Sequence, residues 1–312
     1  FGNRVLFSAD WFLKRTEGIL RTVNLPSQVG DLSGPKSNVG VVDNKGIELS
    51  VSLRGSWGDF SAGISGNFSY TRNEIVDLNG ETEINGRLIC KEGYPINSWY
   101  LLETDGVFQN QSEIDNAQAV YGNRANLRPG YVKYVNDNTI DGNDRVIAGN
   151  TIPRFAYGFN LNFGWKGFAV EAQFQGVGDV SVYPSSNMAF GLYNGAGLTK
   201  QWVRDSWSAT NRNTEYPLLT TYPEAGENFQ NSTLWLQDAS YLRLKNIQLS
   251  YTFPKQLVGR IGIKGLQVYV SGQNLVTFSD FKIWDPEISI SQVNLFSYPI
   301  LKTISFGINL TL

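Results

Sequence analysis

The 312 residues carry 26 Lys and Arg against 28 Asp and Glu, with a pI near 5.4, so the basic footprint that nucleic-acid binding needs is missing. Aromatic residues reach 13% while charged ones stop at 17%, against about 25% in an average soluble domain, a deficit that suits a chain with a second apolar surface facing lipid. No stretch nears the run of about 20 apolar residues that a membrane helix requires, so any crossing must be made by strands.

The opening segment reads as a strand from the middle of a hairpin: Val5, Phe7, Ala9, Trp11 and Leu13 alternate with Leu6, Ser8, Asp10 and Phe12. With Phe1 at its head and Met188 as its single methionine, the chain reads as a fragment or a processed product. Ile47, Leu49, Val51, Leu53 and Trp57 form a second strand. After Gly58-Asp59, Phe60, Ala62, Ile64, Phe68 and Tyr70 form a third, and the aromatic at each side of this short turn predicts one rung of an aromatic girdle. Phe155 to Trp165, the Lys166-Gly167 turn and Phe168 to Phe174 repeat the device. Tyr241 to Phe253 is a long strand whose apolar phase slips near Asn246, which predicts a bulge. Leu266 to Val270 follows Lys264-Gly265, and Ile304 to Leu312 closes the chain.

Long polar stretches at 16 to 45, 76 to 153 and 177 to 239 alternate with those short turns. That asymmetry predicts an all-β, transmembrane antiparallel barrel with short periplasmic turns and long extracellular loops. The strands number roughly nine, an odd count that closes no bacterial barrel. The alternative reading is a soluble or surface-tethered β-sandwich that binds carbohydrate.

Chemistry is sparse. With no histidine and one cysteine, Cys90, the usual general base, the nucleophile dyads and triads, most zinc sites and any internal disulfide are removed together. Carboxylate pairs such as Glu103 with Asp105 or Asp285 with Glu287 are the remaining catalytic candidates and read as solvated loop charge. No enzyme activity is expected. The stretch 136 to 144 is oxygen-rich, and Asn136, Asn138, Asp141 and Asp144 offer a weak calcium-like set; the spacing departs from an EF-hand, and an Asx-rich turn is the simpler reading. No resident cofactor follows. The loop aromatics Trp99, Tyr100, Trp202, Trp207 and Trp235 are candidates for stacking on a sugar ring, or else for packing their loops.

Several blocks resemble one family in its order: Glu92-Gly93-Tyr94-Pro95-Ile96, Asp105-Gly106-Val107-Phe108, Arg128-Pro129-Gly130-Tyr131-Val132-Lys133-Tyr134, then Asn136 to Arg145. Phe174-Gln175-Gly176, Tyr241-Leu242-Arg243-Leu244-Lys245-Asn246, Gly272-Gln273-Asn274-Leu275 and Asp285-Pro286-Glu287 continue the series. The chain thereby resembles the SusC-like TonB-dependent transporters of Bacteroidetes outer membranes. The resemblance implies that residues 1 to 312 are the C-terminal part of a plugged barrel of about 22 strands. It also implies that the plug domain and TonB box lie outside this chain, and that the whole imports oligosaccharides or peptides with a SusD-like surface lipoprotein, TonB and outer-membrane lipid as partners. Residues 92 to 135 and 183 to 235 are the loops expected to meet lid and substrate.

Overall fold

The computed structural model describes the chain apart from residues 1, 3, 23–27, 29–33, 122–126, 137–139, 186–188, 213, 215, 222–225 and 288–297. Phe1, Asn138 and Met188, invoked above, lie outside the described residues. Eight long strands form one antiparallel sheet: β1 (Val5–Glu17), β2 (Val41–Trp57), β3 (Phe60–Asp77), β4 (Phe155–Trp165), β5 (Phe168–Gly178), β6 (Tyr241–Thr252), β7 (Gly265–Ser279) and β8 (Thr303–Thr311). Each lies beside the one before it, with β1 and β8 at the two edges, so the sheet is a section of wall and not a closed ring. Against the roughly nine strands expected, the described residues place eight in this wall.

The register shows why these sequences make a wall. One row across the sheet pairs Leu53 with Ile64, Ile64 with Leu161, Leu161 with Ala172 and Ala172 with Ile247. The adjacent row on the opposite face pairs Ser52 with Ser65, Ser65 with Asn160, Asn160 with Gln173 and Gln173 with Asn246. Because the side-chain period is two, a single consistent register gives one continuous apolar face and one continuous amide and hydroxyl face. Phe7, Trp11, Phe163 and Phe306 on the apolar face are exposed, with Phe306 at 82%. A sandwich would cover this face with a second sheet, and among the described residues none covers it, which counts against the soluble carbohydrate-binding alternative.

Aromatics bound the apolar face at both heights. Trp57, Phe60, Trp165, Phe168 and Tyr251 pair in sequence along the short-turn end, and Trp57 stacks on Phe60 at 6.1 Å between ring centroids. Tyr70 and Phe155, 5.3 Å apart, share a row with Ile47 and Trp11 at the other end. From Phe155 to Trp165 a strand climbs about 34 Å, or about 24 Å across a bilayer at a tilt near 45°, which matches the apolar band of an outer-membrane barrel.

The anticipated irregularity near Asn246 is a double bulge. Lys245 is the extra residue of β6 against β5, while β7 carries an extra residue against β6, with Asn274 in the left-handed region at φ 53°. The bulge restores the phase: Ile247 and Leu249 below it and Leu242 and Leu244 above it all fall on the apolar side of the register.

The long connections are folded, which the polar composition did not announce. β1 runs to Glu17 and β2 begins at Val41, both inside the first polar stretch, and a small hairpin of Leu20–Thr22 with Lys36–Asn38 sits between them. The β3 to β4 connection holds a four-stranded sheet ordered Arg145–Ala148, Ser98–Leu102, Leu88–Cys90, Glu83–Asn85, and a second pair, Thr104–Val107 with Val132–Tyr134.

Candidate functional site

Residues 78–154 and 179–240 stand at the end of the wall opposite the short turns, the end that in bacterial barrels is the outer one. These two connections form one body. Backbone Leu102 N donates to Asn231 O at 2.9 Å, Leu218 N to Gly130 O at 2.7 Å, and buried Val132 N to the Asn228 side-chain oxygen at 2.9 Å. Trp99 Nε1 donates to Ser181 O and Trp207 Nε1 to Gln109 Oε1, again one connection to the other.

Two hydrophobic clusters fill the body. Trp99, Leu101, Tyr183, Phe190, Trp202, Tyr216 and Trp235 make the larger; Leu102, Phe108, Ile114, Tyr131, Val132 and Tyr134 make the other. Burial within the first pushes the Tyr183 phenol up to about 12, while the Arg87 guanidinium 4.5 Å from its ring works in the opposite direction.

Four of the five loop aromatics offered as sugar platforms are therefore core residues. Trp99, Trp202 and Trp235 are at most 3% exposed, Trp207 is buried too, and each indole N–H has its own acceptor. A platform must show a face to solvent, and these rings pack their loops instead. Tyr100 differs: it is half-buried, donates to Gly142 O at 3.1 Å and lies 5.7 Å from the Arg145 guanidinium.

Within the oxygen-rich stretch, Asp141 to Asp144 form a tight Asx turn in which Asp141 Oδ1 accepts from Asn143 N at 2.6 Å and Asp144 Oδ2 accepts from Asp141 N at 2.7 Å. Asn136 donates to Tyr134 O, so these side chains already serve the backbone. Three of the four paired carboxylates meet cations: Asp105 meets Lys133 at 2.7 Å, Asp285 meets Arg243 at 2.7 Å and Glu287 meets Lys245 at 2.6 Å.

The body is fastened to the wall at several roots. Asp179, just past β5, takes Arg154 at 3.2 Å and Asn150 at 2.7 Å, so the end of the first connection and the start of the second share one staple. Gly93 N donates to Ile75 O and Ile75 N to Tyr94 O, which docks the Glu92–Ile96 block on the top of β3. Val107 pairs with Val132, which joins the Asp105 and Arg128 blocks. The Tyr241 block meets the Asp285 block through Arg243, whose side chain is 2% exposed and which also donates to Thr277 Oγ1 at 2.9 Å. Sequence inspection found these blocks singly and missed that they are mutual partners. Beside Arg243, a cavity of about 370 Å³ is lined by Thr277, Phe281, Lys282, Trp284 and Asp285.

No model of a known protein family matches the chain. TonB-dependent receptor P3 of Formosa agariphila is 30% identical across 99% of the chain, and TonB-dependent receptor SusC of Bacteroides thetaiotaomicron is 24% identical across 98%. Among solved structures, the RagAB peptide transporter superposes with a TM-score of 0.75 at 26% identity over 99% of the chain, and the RagAB peptide importer in its open-open state with 0.77 at 26% over the whole chain. In all of these the chain spans about a third of the relative: 32% and 30% of the two receptors, 34% and 33% of the two solved chains. On this end-to-end match, and on a lipid-suited wall with its long connections at one end, the chain is similar over its whole length to about a third of the length of the SusC-like TonB-dependent receptors of the outer membrane.

Proposed function

We propose that the chain is the C-terminal wall and outer-loop segment of an importer that takes up an oligosaccharide or a peptide. On this reading about 14 further strands complete a wall of about 22 around a plug, and TonB acts through a region outside this chain. A SusD-like surface lipoprotein closes over the outer end. The observation that carries the reading is the interlocked loop body at the outer end of a lipid-suited wall: a rigid crown, rather than loose loops, is what a lid and its cargo need to seat against. RagAB, named as a peptide transporter, supports the peptide class of cargo.

Cargo contact falls to the solvent-facing surface of residues 92 to 135 and 183 to 235, where Tyr94 is exposed and Tyr100 half-buried. The buried tryptophans act by holding that surface in shape. The test is affinity capture of the receptor from detergent-solubilised outer membranes, with mass spectrometry of bound proteins and small molecules. A stoichiometric surface lipoprotein with a co-purifying glycan or peptide is the expected result. Recovery without any lipoprotein, from the soluble fraction, would overturn it.

A further inference from the structure

The outward face of β1, β2 and β3 changes character in order as it leaves the apolar band. The last aromatic row is Trp11–Ile47–Tyr70; the next row outward is Leu13–Lys45–Arg72; the one beyond is Arg15–Asp43–Glu74. Hydrocarbon, then aromatic, then cation is also the order met on going from acyl chains through the interface to the phosphate level of a bilayer leaflet.

The cationic row is under-compensated. Lys45 and Arg72 are direct cross-strand partners, an arrangement that like charges disfavour. They share one carboxylate oxygen, Glu74 Oε2, at 3.2 and 3.4 Å. Arg15 is committed to Asp43 through two parallel bonds of 2.8 Å, so that carboxylate is occupied. The Lys45 and Arg72 side chains are about half exposed, at 45% and 50%. An ammonium has three donors and a guanidinium five, so both keep N–H groups for an outside acceptor after Glu74 is served.

We infer that Lys45 and Arg72, seated above Trp11 and Tyr70, form a site for the anionic phosphate headgroup of an outer-leaflet lipid whose chains lie along the apolar band below. This rests on the reading of that face as membrane-exposed. It adds a phosphate-specific contact to the non-specific burial that any barrel wall obtains. Charge complementarity and continuity with the apolar face select a lipid over a free ion, because a free phosphate gains nothing from the band.

The receptor is reconstituted in nanodiscs of phosphatidylcholine doped with phosphatidic acid, then delipidated stepwise with detergent, and retained lipids are counted by native mass spectrometry. Phosphatidic acid should be retained in preference to phosphatidylcholine by the wild type, and the preference should fall roughly thirtyfold in the Lys45→Gln/Arg72→Gln variant. Lys166→Gln, at the opposite girdle, should keep it. Equal retention by wild type and double variant overturns the site. Displacement by millimolar inorganic phosphate, or phosphate binding of equal strength to the delipidated receptor, overturns the lipid assignment. Quenching of Trp11 by brominated lipid, read as the difference between wild type and Trp11→Phe, tests the underlying reading separately: a quenched Trp11 without phosphatidic acid preference sinks the headgroup site alone, and an unquenched Trp11 sinks both.

Discussion

Arg243 of β6 and Asp285, 42 residues later, meet at 2.7 Å with the guanidinium almost fully out of solvent. Glu287 approaches the same guanidinium at 3.2 Å and Lys245 at 2.6 Å, so two cations on the bulge hold two carboxylates of the final connection. Desolvating Arg243 is tolerable only while these carboxylates are present.

Removing one acid should therefore cost less than removing both. Asp285→Ala leaves Glu287 in place and is expected to lower stability by about 2 kcal/mol; Asp285→Ala/Glu287→Ala strands the charge and is expected to cost about 4 kcal/mol. Urea-unfolding midpoints of the receptor in detergent, followed by tryptophan fluorescence, check this. A double variant no worse than the single would show that Glu287 contributes nothing.

The two faces of the wall give a second contrast. Ile64 and Ser65 are neighbours in β3, one in the apolar row and one in the amide row. Ile64→Lys should cost about 2 to 4 kcal/mol in a bilayer, whereas Ser65→Lys should cost under about 1 kcal/mol. Folding equilibria into lipid vesicles measure both. Equal penalties would mean that the assignment of lipid and lumen faces is mistaken.

Gly130 tests the crown. Its φ is +91°, and an added Cβ would lie 2.4 Å from Trp207 Cε3 and 2.7 Å from Leu218 Cβ. Both the backbone conformation and the space exclude a side chain, and the atoms in the way belong to the second connection. Gly130→Ala should loosen residues 207 to 218 together with 128 to 134, seen as faster hydrogen exchange in both segments with β4 and β5 still protected. Faster exchange confined to 128 to 134 would show that the two connections are not one unit.

The wall was legible because lipid on one side and a polar lumen on the other impose a strict two-residue period, and that period marks Ile47–Trp57 and Phe155–Trp165 directly. It fades where strands rise above the bilayer: Val41–Lys45 pairs with Arg72–Asp77, yet with water around them polar residues suit either face, so Val41–Lys45 reads as loop and the third strand is not followed past Tyr70. The crown was hidden for a different reason. Trp235 is visible as an aromatic in a polar stretch, but whether it faces solvent or core depends on Trp202, Tyr216 and Phe190 closing around it, and no local pattern encodes those contacts. Arg243 and Asp285 were each noticed, one within a block and one within a carboxylate pair, and only the fold brought them together.

The buried Tyr183 supplies a pH prediction whose sign is fixed by the direction of its shift. Its phenol rises from the ordinary value of 10.0 to about 12, because burial in the aromatic cluster disfavours the phenolate. A pKa raised on folding contributes stability that is fully present below the unfolded value and is lost as pH climbs through the folded one. The crown should therefore be unaffected up to about pH 10 and lose about 3 kcal/mol between about pH 10 and 12 through this group. The hydroxyl is also the acceptor for Ser232 N and a donor to Gln230 O, so ionisation discards the donated bond while keeping the accepted one. Tyr183→Phe removes the titration together with both bonds, and should start from a less stable crown that declines less steeply above pH 10. Tyrosinate absorbance, taken as the difference between wild type and Tyr183→Phe during an alkaline titration, reports the pKa itself. A midpoint at the ordinary tyrosine value would place Tyr183 in contact with water and undo the account of its cluster as core.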